Sequence, residues 1–292
     1  MNINDFKRKN TEDVLYIENI ALSDGSSLPL LKYPLLDRFD FCGHGFTTRE
    51  GGLSQGIYSS LNLSFTRGDE EALVRENYRR LSEALGTKEE SFVCSDQTHT
   101  TNVRRVGAAD RGNGVLRPKP YTDVDGLITN EPDVVLSTFY ADCVPLFFID
   151  PVHKAVGLSH SGWRGTVNRM GRETLRRMKE EFATEPSQVC AAIGPSICQD
   201  CYEVSRDVAE RFAEEFAGHE EEILLPKSGD KYQLDLWTAN RIVLEEAGIL
   251  PSHLAVTNVC TCCNPTLLFS HRASKGKRGN LGAFLYIKED VF

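Results

Sequence analysis

VPLFFID, residues 144–150, is the stretch on which the fold turns. It is a short, continuous apolar run, not an alternation of wet and dry positions, as expected of a strand covered on both faces of its sheet. AVGLS at 155, GLIT at 126, VVLSTF at 134, VCAAIG at 189 and LLFS at 267 are further apolar or β-branched runs that read as strands. Between them lie amphipathic patterns. Residues 69–86 carry Val74, Tyr78, Leu81 and Leu85 at helical spacing behind an acidic first turn, with Gly86 as the stop. A second helix is expected from about Thr166 to Phe182, and two more over 205–217 and 236–247, closed by Gly218 and Gly248. Strands covered on both faces and helices of this kind imply an α/β chain of stacked layers with helices outside. Strand order is not readable from such runs.

At the start of the chain, residues 1–12 are polar and expected to fray, followed by a strand-like VLYIENI and a turn at Ser23–Ser27. Residues 1–30 are therefore assigned as a tail with a peripheral strand, and 31–292, in which no linker is evident, as one catalytic domain. A net charge of −9 argues against a nucleic-acid backbone as partner. No stretch approaches the roughly 18 apolar residues of a membrane span, and nothing resembles a secretion signal. Nine cysteines, an odd number, then point to reduced thiols in a cytoplasm.

Three segments place metal-competent side chains beside strand ends: SDQTH ending at His99, YADC ending at Cys143, and LSHSGWRG containing His160. Two imidazoles and a thiolate suit zinc, with copper the less favoured ion, and three ligands leave a fourth position open. The competing reading is a buried thiol and two hydrogen-bonded histidines. In HSGWRGT, Gly162 and Gly165 lead into a helix whose N-terminus, with Arg164, could hold an anion; a plain strand-to-helix turn explains it equally well. In HGFTTREGG and SLNLS, Arg49 and Asn62 could grip a polar ligand, while an exposed hairpin is the simpler alternative. Cys198 and Cys201 form one C-x-x-C and Cys260 and Cys263 another. They would make a structural zinc pattern if the segments met, but the 58-residue gap is far longer than ribbon spacing and leaves this open.

HGFTTREGGLS, SLNLS, QTH, DVDGLITN, ADCVP, HSGWRGT, IGPSICQDCYEV and CNPTLLFSHR, in this order over about residues 43–285, resemble the laccase-domain (YfiH-type, multicopper polyphenol oxidase-like) family. The resemblance implies a layered sandwich of mixed β-sheets with helices on the outer faces. It also implies zinc held by His99, Cys143 and His160, and phosphorolysis of adenosine, inosine, guanosine and methylthioadenosine together with adenosine deamination. For that chemistry, Cys143, His99, His160, His44 and Asp142 are the catalytic candidates. Arg49, Asn62, Arg164 and Asp125 are the candidates for nucleoside and phosphate, and the proton shuttle is sought among His44, Asp142 and Asp125. Two positions depart from the family pattern: Thr100 where glycine is usual, and Asn280 where arginine is common. Clustered-copper laccase chemistry is not expected, because the chain has seven histidines and no H-x-H pair. Two rivals remain. One is a cysteine hydrolase, with Cys143 as nucleophile, editing a muramyl nucleotide precursor. The other is a non-catalytic protein that binds metal or nucleoside.

Overall fold

The computed structural model describes residues 1–289. Strand β8 (Val144–Asp150) is buried at all seven positions, and its pleat explains why an unbroken apolar run is needed. Val144, Leu146 and Phe148 face a helix-covered core, whereas Phe147 and Ile149 face a second sheet. A buried phenylalanine such as Phe147 contributes about 1.5–3 kcal/mol relative to an exposed one.

The sheet built around β8 runs β14 (Leu254–Val256), β10 (Cys190–Ile193), β8, β9 (Ala155–Ser161), β6 (Gly126–Thr129), β5 (Val103–Arg105). Its two outermost pairs are parallel and the inner ones antiparallel. The facing sheet runs β1 (Tyr16–Ala21), β2 (Ser27–Lys32), β3 (Cys42–Thr47), β15 (Leu281–Ile287), β7 (Val135–Tyr140), β4 (Phe92–Cys94). It is antiparallel except for β4 with β7. A small third sheet pairs β11 (Glu203–Ser205), β13 (Lys231–Leu234) and β12 (Leu224–Lys227). Phe46, Leu136 and Leu285 meet Phe147, Leu158 and Leu127 between the two large sheets.

Helix α1 (Glu71–Leu85) covers the outer face of the β1-to-β4 sheet through Val74, Tyr78, Leu81 and Leu85, and Gly86 ends it at φ +64°. Helices α2 (Trp163–Val167), α3 (Met170–Phe182), α4 (Arg206–Glu215) and α6 (Leu236–Glu246) pack on the outer face of the β8 sheet. Short helices α5 (Glu220–Ile223) and α7 (His271–Ser274) complete the set. Asp235 caps α6 by accepting from the amides of Trp237 and Thr238. Gly157 lets α3 approach β9, since a Cβ there would lie 3.0 Å from Met178 Sδ. The architecture is thus helix, sheet, sheet, helix, a mixed α/β sandwich.

Three expectations about local structure are corrected. The helix expected over 166–182 is two helices, because Arg169 adopts φ +61° and spends its guanidinium on Glu215 and Glu246 across the helix layer. LLFS at 267 is not a strand; Leu268 and Phe269 are buried in a loop that leads into α7. Residues 1–12 do not hang free: Phe6 is buried, Lys7 N–H donates to Asn264 Oδ1, and Lys9 N–H donates to the Asn258 carbonyl. The division at residues 30/31 falls inside β2, whose Leu28, Leu30 and Leu31 are all buried.

Candidate metal and ligand site

Strand register brings distant residues together at one end of the β8 sheet. Strand β9 runs antiparallel to both β8 and β6, so its last residues lie beside the first residues of both. Cys143, just before β8, and Asp125, just before β6, therefore flank His160, whose amide donates to the Asp125 carbonyl at 2.8 Å. His160 continues the Val156 and Leu158 face of β9, toward the space between the sheets. His99 arrives from the loop after β4. The ligand atoms of His99, Cys143 and His160 lie within 4.8 Å of one another.

Asp125 organises this end of the sheet. Fully buried, it accepts from the amides of Thr98, His99 and Thr100, from the Thr100 hydroxyl, and from His160 Nδ1 at 2.8 Å. Assigning that proton to Nδ1 leaves His160 Nε2 free as a lone-pair donor toward Cys143. The Thr100 hydroxyl thus adds one bond to the carboxylate that a glycine at this position would lack, the amide bond being common to both. Burial opposes the Asp125 charge, but His160 and the converging donors hold its carboxyl below the usual range.

Burial likewise opposes the Cys143 thiolate, yet the charge of His160 and bonds from His160 and His99 outweigh it and bring the thiol down to about 6. His160, which burial would discharge, is raised to about 9 by Cys143 and Asp125. The trio is therefore a thiolate against an imidazolium, ready to exchange the imidazolium proton for a metal ion. The donor set fits a zinc-type ion with three protein ligands: one thiolate, one oriented imidazole, and a more exposed imidazole at the rim. Gly162 closes the site from below, since a Cβ there would come 2.9 Å from His99 Cδ2 and 3.1 Å from Cys143 Sγ.

Two residues here hold left-handed backbone that a non-glycine residue adopts at a cost: His99 at φ +67° and Asp142 at φ +91°. His99 is held by its amide bond to Asp125. Asp142 accepts from Thr261 Oγ1 and the Arg272 amide, each at 2.7 Å, which aims the next residue, Cys143, into the site.

His99, Cys143 and His160 form part of the wall of a cavity of about 750 Å³, within the range of small-molecule sites. Arg67, Arg75, Arg117, Lys119 and Arg278 also line it, a cationic interior in an acidic chain. Arg75, Arg117 and Lys119 are partly spent on Glu71, Asn113 and Asp96. Arg67 makes no side-chain hydrogen bond or ion pair among the described residues. Arg278 is buried, its Nε lacks a partner, and Asn280 takes one of its Nη1 bonds. Burial and the neighbouring Arg67 charge bring Arg278 down to about 10.

The other sequence candidates lie elsewhere. Arg49 bonds the Ser59 and Pro265 carbonyls and stacks over Phe269, 4.6 Å from the ring centroid. Arg164 is exposed and lies over Trp163. Asn62 is buried, bonding Ser64, Asp69 and the Asn280 amide, so it shapes the cavity wall from behind. His44 opens on a separate cavity with Lys32 and Asp37, and its Nε2 accepts from the Tyr33 amide. Arg67 and Arg278 went unremarked in the sequence. Arg278 had one signal: it sits in GKRGN, between glycines and two residues before the departing Asn280.

Fold and site together define a class: a two-sheet sandwich that gathers His-Cys-His donors suited to a metal ion at a sheet end, beside a cationic cleft. A family model described as multi-copper polyphenol oxidoreductase laccase matches residues 43–288, and the chain belongs to that family. It is 38% identical over 255 residues to the purine nucleoside phosphorylase YlmD of Bacillus subtilis, covering 84% of this chain and 88% of that one. It is 36% identical to a purine nucleoside phosphorylase of Bacteroides thetaiotaomicron, over 86% of this chain and 94% of the other. The crystal structure of YlmD from Geobacillus stearothermophilus superposes with a TM-score of 0.83 at 35% identity, covering 93% of this chain and all of that one.

Proposed function

We propose that the protein is a zinc-dependent purine nucleoside phosphorylase that cleaves adenosine, inosine, guanosine and methylthioadenosine with phosphate and also deaminates adenosine. One observation carries the reading: a three-ligand group oriented by Asp125 shares one cavity with two arginines that have donor capacity to spare. One thiolate and two imidazoles with a fourth position open suit zinc, and two of the seven histidines are too few for the clustered copper of a laccase. When bound, zinc supplies a Lewis acid that draws electron density from whatever occupies its fourth position.

The chain's own residues supply the remainder. Arg67 and Arg278 hold phosphate, their guanidinium forks matching its oxygens. Phe65 and Phe139 offer the purine ring apolar faces on the cavity wall. Gln97 fixes Phe139 by bonding both its amide and its carbonyl, each at 2.7 Å. In phosphorolysis an oxygen of hydrogen phosphate attacks the anomeric carbon, the glycosidic bond to the base nitrogen breaks, and that nitrogen takes up the proton that the phosphate gives up. The site cations offset the charge of the incoming phosphate. Among the described residues no helix is long and apolar enough to cross a membrane, which suits a cytoplasmic nucleoside enzyme.

The thiolate–imidazolium pair at Cys143 and His160 favours one alternative, a cysteine nucleophile acting on an amide. Purified protein incubated with inosine and phosphate should release hypoxanthine and ribose 1-phosphate, and its zinc should fall with Cys143→Ala. No base released from any purine nucleoside, or a covalent substrate adduct on Cys143, would reject the phosphorylase.

A further inference from the structure

The two C-x-x-C pairs meet. Strands β10 and β14 are parallel, and their pairing of Ile193 with Val256 continues as a bridge between Ser196 and Cys260. The chain thus leaves both strands in one direction and delivers the two loops side by side, although 58 residues separate them in sequence. The sulfurs of Cys198, Cys201, Cys260 and Cys263 all lie within 4.8 Å of one another. Cys263 Sγ is 3.9 Å from Cys198 Sγ and 3.5 Å from Cys201 Sγ. Four sulfurs around one zinc at about 2.3 Å stand about 3.8 Å apart, so the cluster already has the size of a zinc tetrathiolate. None of the four is disulfide-bonded.

The surroundings suit thiolates. Cys260 Sγ accepts from the Cys198 amide at 3.2 Å and the Cys263 amide at 3.4 Å, the backbone support that metal-bound sulfur receives. Four thiolates and a divalent ion carry a net charge of −2. Lys9, at the pinned N-terminal segment, lies close enough to Cys198 and Cys263 to interact with their charge. Arg272 bonds the Cys201 carbonyl.

We propose that Cys198, Cys201, Cys260 and Cys263 bind one structural zinc ion, separate from the His99, Cys143 and His160 group. Four ligands close the coordination sphere, so this ion holds structure and does not meet substrate. What it holds is the backing of the first site. Between Cys260 and Cys262, Thr261 bonds Asp142 Oδ1, and next to Cys198 the Ile197 amide donates to the Asp142 carbonyl. The ion ties together the two loops that keep Asp142 in its left-handed conformation.

The test is zinc content in the full-length His99→Ala/Cys143→Ala variant, in which the first site is dismantled and all four cysteines remain. It should retain one zinc per chain, and cobalt exchanged into it should give the intense thiolate-to-metal absorption of a tetrahedral four-sulfur site. Adding Cys201→Ser and Cys263→Ser should remove that ion and lower the thermal midpoint by several degrees. Less than a tenth of an equivalent of zinc in folded double variant would overturn the proposal. So would iron in its place, a disulfide in the intact mass, or alkylation of these cysteines in native protein as fast as a free thiol. The outcome does not depend on the phosphorylase reading, since no substrate enters it.

Discussion

Asp125→Asn probes the scaffold of the first site with almost no change of shape. Asp125 Oδ1 receives His99 N–H and His160 Nδ1–H, and Oδ2 receives the Thr98 and Thr100 amides and the Thr100 hydroxyl. Either orientation of an asparagine amide turns an NH₂ toward donors, two at the Oδ1 position or three at the Oδ2 position. If it faces His160, the imidazole must move its proton to Nε2 and lose its ligand lone pair; if it faces Thr98 and Thr100, two buried amides lose their acceptor. Each stranded amide costs about 1–3 kcal/mol of stability. Loss of the carboxylate that orients a metal-binding histidine weakens the metal about 10- to 100-fold, or about 1.4–2.7 kcal/mol. Competition with a chromophoric chelator measures the zinc that Cys143→Ala abolishes, and urea unfolding measures stability separately. A folded Asp125→Asn protein that binds this zinc within twofold of the wild type would refute the orienting role.

Arg278→Gln should raise the KM for phosphate about 10- to 100-fold in steady-state assays, the loss expected for a charged hydrogen bond of 1.5–3 kcal/mol; Arg49→Gln should instead cost stability in urea and leave that KM within about threefold, because its guanidinium is tied to the Ser59 and Pro265 carbonyls. Burial pulls buried His44 down to about 4 from an ordinary 6.5. The unfolded chain thus takes up its proton first, and up to about 3 kcal/mol of stability present above pH 6.5 should be lost as pH falls toward 4. Urea midpoints between pH 7 and pH 4 should show this slope flattened in His44→Gln, and an unchanged slope would contradict it. Gly162→Ala, at an ordinary φ of −71°, should unfold like wild type in urea yet lose much of its first-site zinc, since the new methyl presses on His99 and Cys143.

The layers were legible in the sequence because burial imposes a periodicity. The run at 144–150 is apolar throughout since alternate residues enter two different cores, and the 4, 3, 4 spacing of α1 reflects a single buried face. The ligand residues were legible as chemical types near strand ends. Their convergence was not, since it depends on β9 lying antiparallel between β8 and β6, and nothing in a single strand states its neighbours. The surroundings of the anion-binding candidates were hidden for a related reason. Arg49 and Arg164 stand in conspicuous glycine-containing motifs, yet one is consumed by backbone carbonyls and the other by an indole face. Arg67 and Arg278 owe their interest to what they fail to touch, a property of the folded molecule. The cysteine pairs show the limit most directly: a long sequence gap counts against a shared ion only until a parallel strand pair cancels it.

The backbone at His99 and Asp142 connects these observations. A left-handed non-glycine residue costs about 1–3 kcal/mol at a functional site, so each must be held by something stronger. For His99 the holder is the Asp125 carboxylate, which also fixes His160; for Asp142 it is Thr261 and the Arg272 amide. The first anchor sits before β6 and the second between two cysteines of the four-thiol cluster, so the strain in the first site is opposed from two independent directions. Preorganisation of Cys143 therefore depends on a loop that never faces the cavity. That is a physical reason for the four-thiol cluster to lie directly behind the first site.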